Sequence, residues 1–237
     1  MRVLVVIPTY NEVANIAPLA SEILAQAPEV EVLFVDDSSP DGTAARVSEI
    51  SDREPRIRVM SRPPRSGFGT AILAGLAVAM EEDFDVAVTM DGDRSHAPVH
   101  LRSVIARLES WDMVIGSRYI AGGGIENWGL HRRLLSRFAN WYSLTLLGLP
   151  VRDCTSGYRG YRVEALRRLP LSTVQSTGYS FLEEILCLVH RNGLSIGETP
   201  IVFTERRAGR SKISQKEIFL AAYHVIRLRL GGRGPTS

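Results

Sequence analysis

Val86-Ala-Val-Thr-Met90 runs directly into Asp91-Gly92-Asp93. An apolar run of this length reads as a buried strand, and here it ends in two carboxylates one residue apart. Carboxylate oxygens are hard ligands for Mg²⁺ or Mn²⁺, ions that commonly hold phosphates. A second apolar run, Val32-Leu-Phe-Val35, ends in Asp36-Asp37. Ligands of open parallel sheets bind at the carboxyl ends of the strands, so two acidic strand ends point to one metal–phosphate site.

Working outward, further strand-like runs occur at Val3–Ile7, Ile57–Met60 and Met113–Ile115. Helical apolar spacing separates them, as in Ile16, Leu19, Ala20, Ile23 and Leu24, and again through Gly69–Met80. That alternation predicts an α/β fold, a mostly parallel sheet flanked by helices. The pattern weakens after Gly116. Beyond it, helices are expected over His131–Leu147, Phe181–His190 and Gln215–Leu230, with strand-like pieces at Ser195–Glu198 and Ile201–Thr204. The stripe Leu134, Leu135, Phe138, Trp141 and Tyr142 reads mainly as core packing. Part of it, with Phe219, Tyr223, Ile226 and Leu230 of the last helix, would suit a membrane interface.

The 237 residues suffice for a substantial core, with 45% hydrophobic and 23% charged residues. A formal net charge of +2 does not call for nucleic acid as a partner. Cys154 and Cys187 have no metal or redox spacing and read as buried free thiols of a reducing compartment. Met1-Arg2 leads straight into a strand, so no signal peptide is expected. No stretch is apolar over the ~20 residues that span a bilayer.

Several segments lie where a ligand would. Pro8-Thr-Tyr-Asn-Glu12 follows the first strand: Pro8 sets the turn, Tyr10 can stack on a planar base, and Glu12 can accept from base or ribose donors, while Asn11 suits a helix cap. In Asp36-Asp-Ser-Ser-Pro-Asp-Gly-Thr43, Asp37 reads as a ligand-binding carboxylate and Ser39 or Asp41 as a cap. Arg65-Ser-Gly-Phe-Gly69 resembles a phosphate-binding turn, but Ile72 stands where a dinucleotide fingerprint needs glycine, and no Walker lysine follows. Its glycines suit close packing or backbone approach to a ligand. His96 reads as a turn residue. The Gly122–Trp128 loop reads as a surface loop or a lid, and Arg206 and Lys212 flank a basic turn suited to a phosphate or to solvent.

Taken in order, Pro8–Glu12, Asp36–Thr43, Asp91-Gly-Asp93 and Gly116-Ser-Arg-Tyr119 resemble the family 2 glycosyltransferases of GT-A fold. Gly122–Trp128, Ser156-Gly-Tyr-Arg159 and Gly209-Arg-Ser-Lys212 are similar to the branch acting on lipid phosphates, the dolichyl- and polyprenyl-phosphate mannose synthases. The resemblance implies a single GT-A catalytic domain over residues 1–230, with a Rossmann-like nucleotide-sugar and metal half (1–118), an acceptor half (119–230) and a disordered tail, 231–237. It implies mannosyl transfer from GDP-mannose to a polyprenyl (dolichyl) monophosphate. Pro8, Tyr10, Glu12, Val35 and Asp37 would hold the guanosine. Asp91 and Asp93 would bind Mg²⁺ or Mn²⁺, with Gly92 against the nucleotide and Ser95 near the ion. Arg118, Arg206 and Lys212 would face phosphates, and Asp91, Asp93 and Arg118 would carry catalysis. Arg132, Ser136 and Arg206 would meet the acceptor phosphate.

Three positions depart from the family pattern: Gly92, where Ala is usual and tolerable; Arg210, where Glu is usual; and the missing C-terminal membrane helix. The expected location is therefore cytoplasmic, at the cytoplasmic face of the membrane, with attachment either peripheral or through a membrane-anchoring partner protein. UDP-glucose or another nucleotide sugar, or a hydroxyl acceptor, is the alternative chemistry, with Glu184 the acid that would then serve as base. A non-catalytic nucleotide-binding subunit is the alternative of another class.

Overall fold

The structure, a computed structural model, describes residues 1–64, 66–205 and 215–231, with side chains in the last segment from 222 onward. Chain order is β1 (Val3–Thr9), α1 (Val13–Gln26), β2 (Glu31–Asp36), α2 (Thr43–Ser51), β3 (Ile57–Ser61), α3 (Phe68–Glu81) and β4 (Val86–Thr89). Then follow α4 (Leu101–Arg107), β5 (Met113–Ser117), β6 (Gly124–Ile125), α5 (Leu130–Leu147), β7 (Arg159–Arg162), α6 (Val163–Arg167), α7 (Phe181–Arg191), β8 (Ile196–Pro200), β9 (Val202–Phe203) and α8 (Gln215–Arg229).

One sheet of order β3-β2-β1-β4-β7-β5-β8 passes through both expected halves. Successive strand residues point to opposite faces, and they divide accordingly between two cores. Leu4, Val6, Leu33, Val35 and Ala87 pack with Ala71, Ile72 and Leu76 of α3 and Phe181 and Ile185 of α7. Val5, Ile7, Val32, Phe34 and Val88 pack with Ile16, Leu19 and Ile23 of α1 and with Leu101 and Val104 of α4. Helix α3 lies very close to the sheet. A methyl on Gly75 would overlap Val6 Cγ1 at 2.2 Å, so only glycine fits there.

Strands β1–β4 are parallel, which sets the carboxyl ends of β1, β2 and β4 along one edge. The sequence reading omitted β7, which lies antiparallel between β4 and β5. Arg159-Gly-Tyr-Arg162 has no apolar run to announce it, because its core contacts come from Tyr161 and a fully buried Arg159. That guanidinium donates to the carbonyls of Ser156 (2.8 Å), Leu182 (2.7 Å) and Cys154 (2.7 Å).

The core assignment of the α5 stripe is corrected. Leu130, Leu134, Leu135, Phe138 and Trp141 are all exposed, the last two at 59% and 60%. The buried side of α5 is polar, at Asn140 and Ser143. Asn140 Nδ2 donates to the Arg152 carbonyl (2.6 Å) and its Oδ1 accepts from Cys154 N (2.9 Å), so hydrogen bonds fix the inward face together with the partly buried Leu144 and Leu147, which pack on the core. Tyr223, Ile226 and Leu230 of the neighbouring α8 segment are exposed as well. Tyr142 Oη links the two helices by donating to the Ala222 carbonyl (3.2 Å). Among the described residues, no helix is long and apolar enough to cross a membrane.

Candidate active site

The ends of β1, β2 and β4 open into a cavity of about 290 Å³ lined by Pro8, Thr9, Tyr10, Glu12, Asp37 and the Asp91-Gly92-Asp93 turn. Gly67, Phe68, Ala71 and Tyr179 form the opposite wall. Seven of the residues expected around a nucleotide sugar therefore meet in one place: Pro8, Tyr10, Glu12, Asp37, Asp91, Gly92 and Asp93. Val35 stands apart from that lining. Its side chain is buried in the core, and its carbonyl accepts from Thr9 Oγ1 at 3.4 Å.

The two acidic strand ends differ in use. Asp36 is fully buried and ties the turn together, accepting from Ser39 N (2.8 Å), Ser39 Oγ (2.5 Å) and Thr9 Oγ1 (3.2 Å). Asp37 faces the cavity, yet it also holds the opposite wall. Its Oδ1 accepts from Arg62 Nε (3.0 Å) and Nη2 (2.7 Å), and its Oδ2 from Gly67 N (2.9 Å). Asp41 stitches the loops after β1 and β2 by accepting from Val13 N (3.1 Å) and Thr43 Oγ1 (2.6 Å). Burial pushes this carboxyl up, but the bonds from Thr43 and Val13 outweigh it and leave the pKa below the usual value. The cap of α2 is Gly42, at φ 87°, and that of α1 is Glu12 rather than Asn11.

In the turn after β4, Asp93 Oδ1 accepts from Ser95 N (3.0 Å) and Ser95 Oγ (2.5 Å), which fixes the carboxylate. His96 is buried, and its Nδ1 accepts from Asp91 N (3.0 Å). That nitrogen is therefore a lone pair, and its 3.6 Å approach to Asp91 Oδ2 is not an ion pair. A methyl on Gly157 would lie 3.3 Å from Asp91 Oδ1, so glycine leaves room beside that oxygen. A methyl on Gly92 would meet Thr9 Cγ2 at 3.1 Å, so Ala fits there only with a shift of the Thr9 side chain. Among the described residues, no group of three His, Cys, Asp or Glu side chains is placed to cage a metal. Two carboxylates on a cavity floor suit Mg²⁺ or Mn²⁺, which are commonly held by one or two carboxylates plus substrate phosphates.

Arg118 follows β5 and is buried against Asp153. Its Nε (2.8 Å) and Nη2 (2.8 Å) grip the two carboxylate oxygens, and Nη2 also donates to Thr155 Oγ1 (2.6 Å). Burial alone would lower the guanidinium pKa, but the Asp153 charge raises it well above the usual value. For Asp153, burial raises the pKa, and Arg118 more than reverses this.

Near the start of α5, Arg132 lies 4.3 Å over the Trp128 ring and donates from Nη1 to Glu205 Oε1 (2.7 Å). Ser136 Oγ and Tyr119 Oη share a 2.8 Å hydrogen bond. Arg206 and Lys212 lie outside the described residues, as do Arg210, the side chain of Phe219 and the tail beyond 231.

Glu184 serves structure. Its Oε1 accepts from Gln175 N (3.0 Å) and its Oε2 from Ser176 N (2.8 Å), with His224 Nε2 at 3.5 Å. Burial raises its pKa, but the hydrogen bonds from His224, Ser176 and Gln175 win and hold it at about 2. The loop it anchors supports the cavity wall, since the Thr177 carbonyl accepts from Gly69 N (2.8 Å).

The sequence reading missed Arg62, Tyr179 and Asp153. Arg62 and Asp153 lie in no motif. Phe68 lay in view within Arg65–Gly69, where only the glycines were interpreted; it stacks on Tyr179 with ring centroids 5.0 Å apart.

Comparison with known proteins gives a consistent result. The family model for glycosyl transferase family 2 matches residues 4–169. The chain is similar to polyprenol monophosphomannose synthase of Mycolicibacterium smegmatis, with 42% identity over 98% of this chain and 88% of that protein. It is 38% identical to undecaprenyl-phosphate mannosyltransferase of Micrococcus luteus, over 98% of this chain and 96% of that one. It is 34% identical to dolichol-phosphate mannosyltransferase of Pyrococcus furiosus, over 96% of this chain and 64% of that one. Among solved structures, glucosyl-3-phosphoglycerate synthase from Mycobacterium tuberculosis superposes with a TM-score of 0.69 at 23% identity, over 99% of this chain and 81% of that one. Its complex with Mn²⁺, UDP and glucosyl-3-phosphoglycerate gives 0.66 at 25% identity, over 97% and 80%.

Proposed function

The chain belongs to glycosyl transferase family 2, with the GT-A fold and hexosyltransferase activity, and from that premise we propose that it moves mannose from GDP-mannose to a polyprenyl (dolichyl) monophosphate. Residues 1–230 act as one catalytic domain. The observation that carries this reading is the Asp91/Asp93 pair on the floor of a cavity with aromatic walls, in a chain 34–42% identical to three enzymes whose names pair mannose with a polyprenyl or dolichyl phosphate.

Tyr10, Phe68 and Tyr179 offer flat surfaces to the base, and Glu12 and Asp37 accept from base or ribose donors. Mg²⁺ or Mn²⁺ held by Asp91 and Asp93 would neutralise charge on the leaving diphosphate. Ser95 orients Asp93, the Arg118 guanidinium is held beside the site by Asp153, and Arg206 and Lys212 are the further cations proposed to face phosphates. Arg132, Ser136 and Arg206 receive the acceptor phosphate. A phosphomonoester has a second pKa of about 6, so the acceptor is largely dianionic at pH 7 and needs positioning rather than a base. Its oxygen attacks the anomeric carbon while the bond to the diphosphate breaks, which inverts configuration and gives a β-linked product.

The deciding assay offers GDP-mannose, UDP-glucose and UDP-N-acetylglucosamine with a short-chain polyprenyl monophosphate and Mg²⁺ or Mn²⁺. Lipid products are read by mass spectrometry and anomeric configuration by NMR. Mannosyl phospholipid of β configuration from GDP-mannose alone is expected; a retained configuration would sink the single displacement. A second reading, a UDP-sugar donor, is favoured by the solved neighbour's complex with UDP. Product from UDP-glucose would establish it.

Glu184→Gln separates anchor from base. An anchor variant is expected to keep kcat within about threefold and to raise the donor KM severalfold as the wall loosens, in line with the modest net worth of a charged hydrogen bond. Loss of kcat at unchanged donor KM would make Glu184 a base.

The location proposed is peripheral, at the cytoplasmic face of the membrane, with or without an anchoring protein. Leu130, Leu134, Phe138 and Trp141 recur at helical spacing on one exposed face of α5, with Arg133 and Arg137 also exposed on that helix. Burying a large apolar side chain contributes about 1.5–3 kcal/mol, so Phe138→Ser/Trp141→Ser is expected to weaken vesicle binding at least about tenfold. Flotation with anionic liposomes measures this, and equal flotation of wild type and variant would exclude α5 as the contact.

A further inference from the structure

We propose that Glu205 is an internal competitor for the acceptor phosphate, seated on Arg132 between turnovers and returning to it to expel product. The inference rests on the reading of Arg132 as acceptor-phosphate ligand. It goes beyond that reading by assigning the carboxylate that regulates the site.

Arg132 is partly exposed but held on two sides. Trp128 supports one face of its guanidinium, and Glu205 Oε1 takes an Nη1 hydrogen at 2.7 Å. The pairing is set by backbone rather than by chance contact of long side chains. Strand β6 pairs with β9 in the register Gly124↔Val202 and Ile125↔Phe203, and Glu126 N donates to the Phe203 carbonyl (2.8 Å). The Trp128 ring stands edge-on to Phe203 at 5.3 Å. Trp128, which carries Arg132, and Phe203, two residues before Glu205, are thus clamped together.

Carboxylate and phosphate oxygens accept from a guanidinium with the same geometry, so only one of them can hold that edge of Arg132. Charge decides which. The acceptor enters as a phosphomonoester dianion, which outcompetes a single carboxylate charge. In the transfer one phosphate oxygen forms the bond to the anomeric carbon, and the nucleoside diphosphate leaves with the electron pair of the bond that breaks. The lipid product is then a phosphodiester with one negative charge. Against that monoanion, the tethered Glu205 regains Arg132, because its local concentration stays high without diffusion. Both Arg132 and Glu205 are partly exposed, which keeps the pair weak enough to exchange.

The test measures acceptor KM and the inhibition constant of lipid phosphate mannose for wild type, Glu205→Gln, Arg132→Ala and the double variant, at saturating GDP-mannose. Glu205→Gln is expected to tighten product inhibition by about two- to fivefold, the range for an exposed ion pair, with a smaller fall in acceptor KM and an unchanged thermal midpoint. Arg132→Ala is expected to weaken both, and adding Glu205→Gln to it should then change neither. Unchanged or weaker product inhibition in Glu205→Gln, with Arg132→Ala still weakening acceptor binding, overturns the competitor and leaves the acceptor site standing. A persisting effect of Glu205→Gln in the Arg132→Ala background also overturns it, since the carboxylate would then act through the general field. No effect of Arg132→Ala on acceptor KM would overturn the acceptor-site reading itself, and the competitor with it.

Discussion

Asp93→Asn is expected to lower kcat about a thousandfold while the protein stays folded. Charge stabilisation by a bound metal contributes several kcal/mol to such a displacement, and each 1.36 kcal/mol is a factor of ten in rate. The substitution keeps the shape of a nearly buried side chain, and its amide oxygen still accepts from Ser95 N and Oγ. What it removes is the negative charge facing the cavity. Two measurements separate this from a packing defect. The thermal midpoint without ligand should hold, whereas the midpoint increase on adding Mn²⁺ with GDP should shrink. A kcat within tenfold of wild type would place the ion, or the catalytic charge, elsewhere.

Asp153→Asn carries the largest expected loss of stability. Removing one partner of a buried ion pair costs about 3–5 kcal/mol, because the remaining charge is left uncompensated. For a chain of this size each kcal/mol moves the midpoint by about 2–4 °C, so a fall of about 10 °C is expected. Asp153 is fully buried, and its carboxylate also receives Thr155 N (3.2 Å) and Ser156 N (3.1 Å), so the turn after α5 should loosen too. The pH dependence has a definite sign. The folded-state pKa of Asp153 lies below its unfolded value, so the stabilisation is complete above the unfolded pKa of about 3.9 and fades as pH falls through the folded value. The gap between wild type and Asp153→Asn should therefore be full at pH 7 and narrow below about pH 4. Pairing it with Arg118→Gln should restore part of the loss, since neither charge is then stranded. A single variant as stable as wild type would show that the pair contributes no net stability.

The first four strands, the parallel sheet and the cluster Pro8, Tyr10, Glu12, Asp37, Asp91 and Asp93 were legible without coordinates. Apolar runs and helical spacing are local, and parallel strands bring their carboxyl ends to one edge whatever else the chain does. The later strands β5, β8 and β9 and helices α7 and α8 were legible as elements too, but tertiary structure alone decided which charges pair, where β7 lies and which way α5 faces. Arg62 and Asp37 are 25 positions apart, Arg118 and Asp153 35, and Arg132 and Glu205 73. Nothing in either member of such a pair specifies the other, because an ion pair depends on where the backbone brings two charges. The same holds for β7, whose polar sequence becomes a central strand only because β4 and β5 both offer it hydrogen bonds. Helix α5 is the plainest case. Its periodicity defines an apolar face, but whether that face meets the core or the solvent depends on what packs opposite, and here Arg152 and Cys154 recruit Asn140 instead.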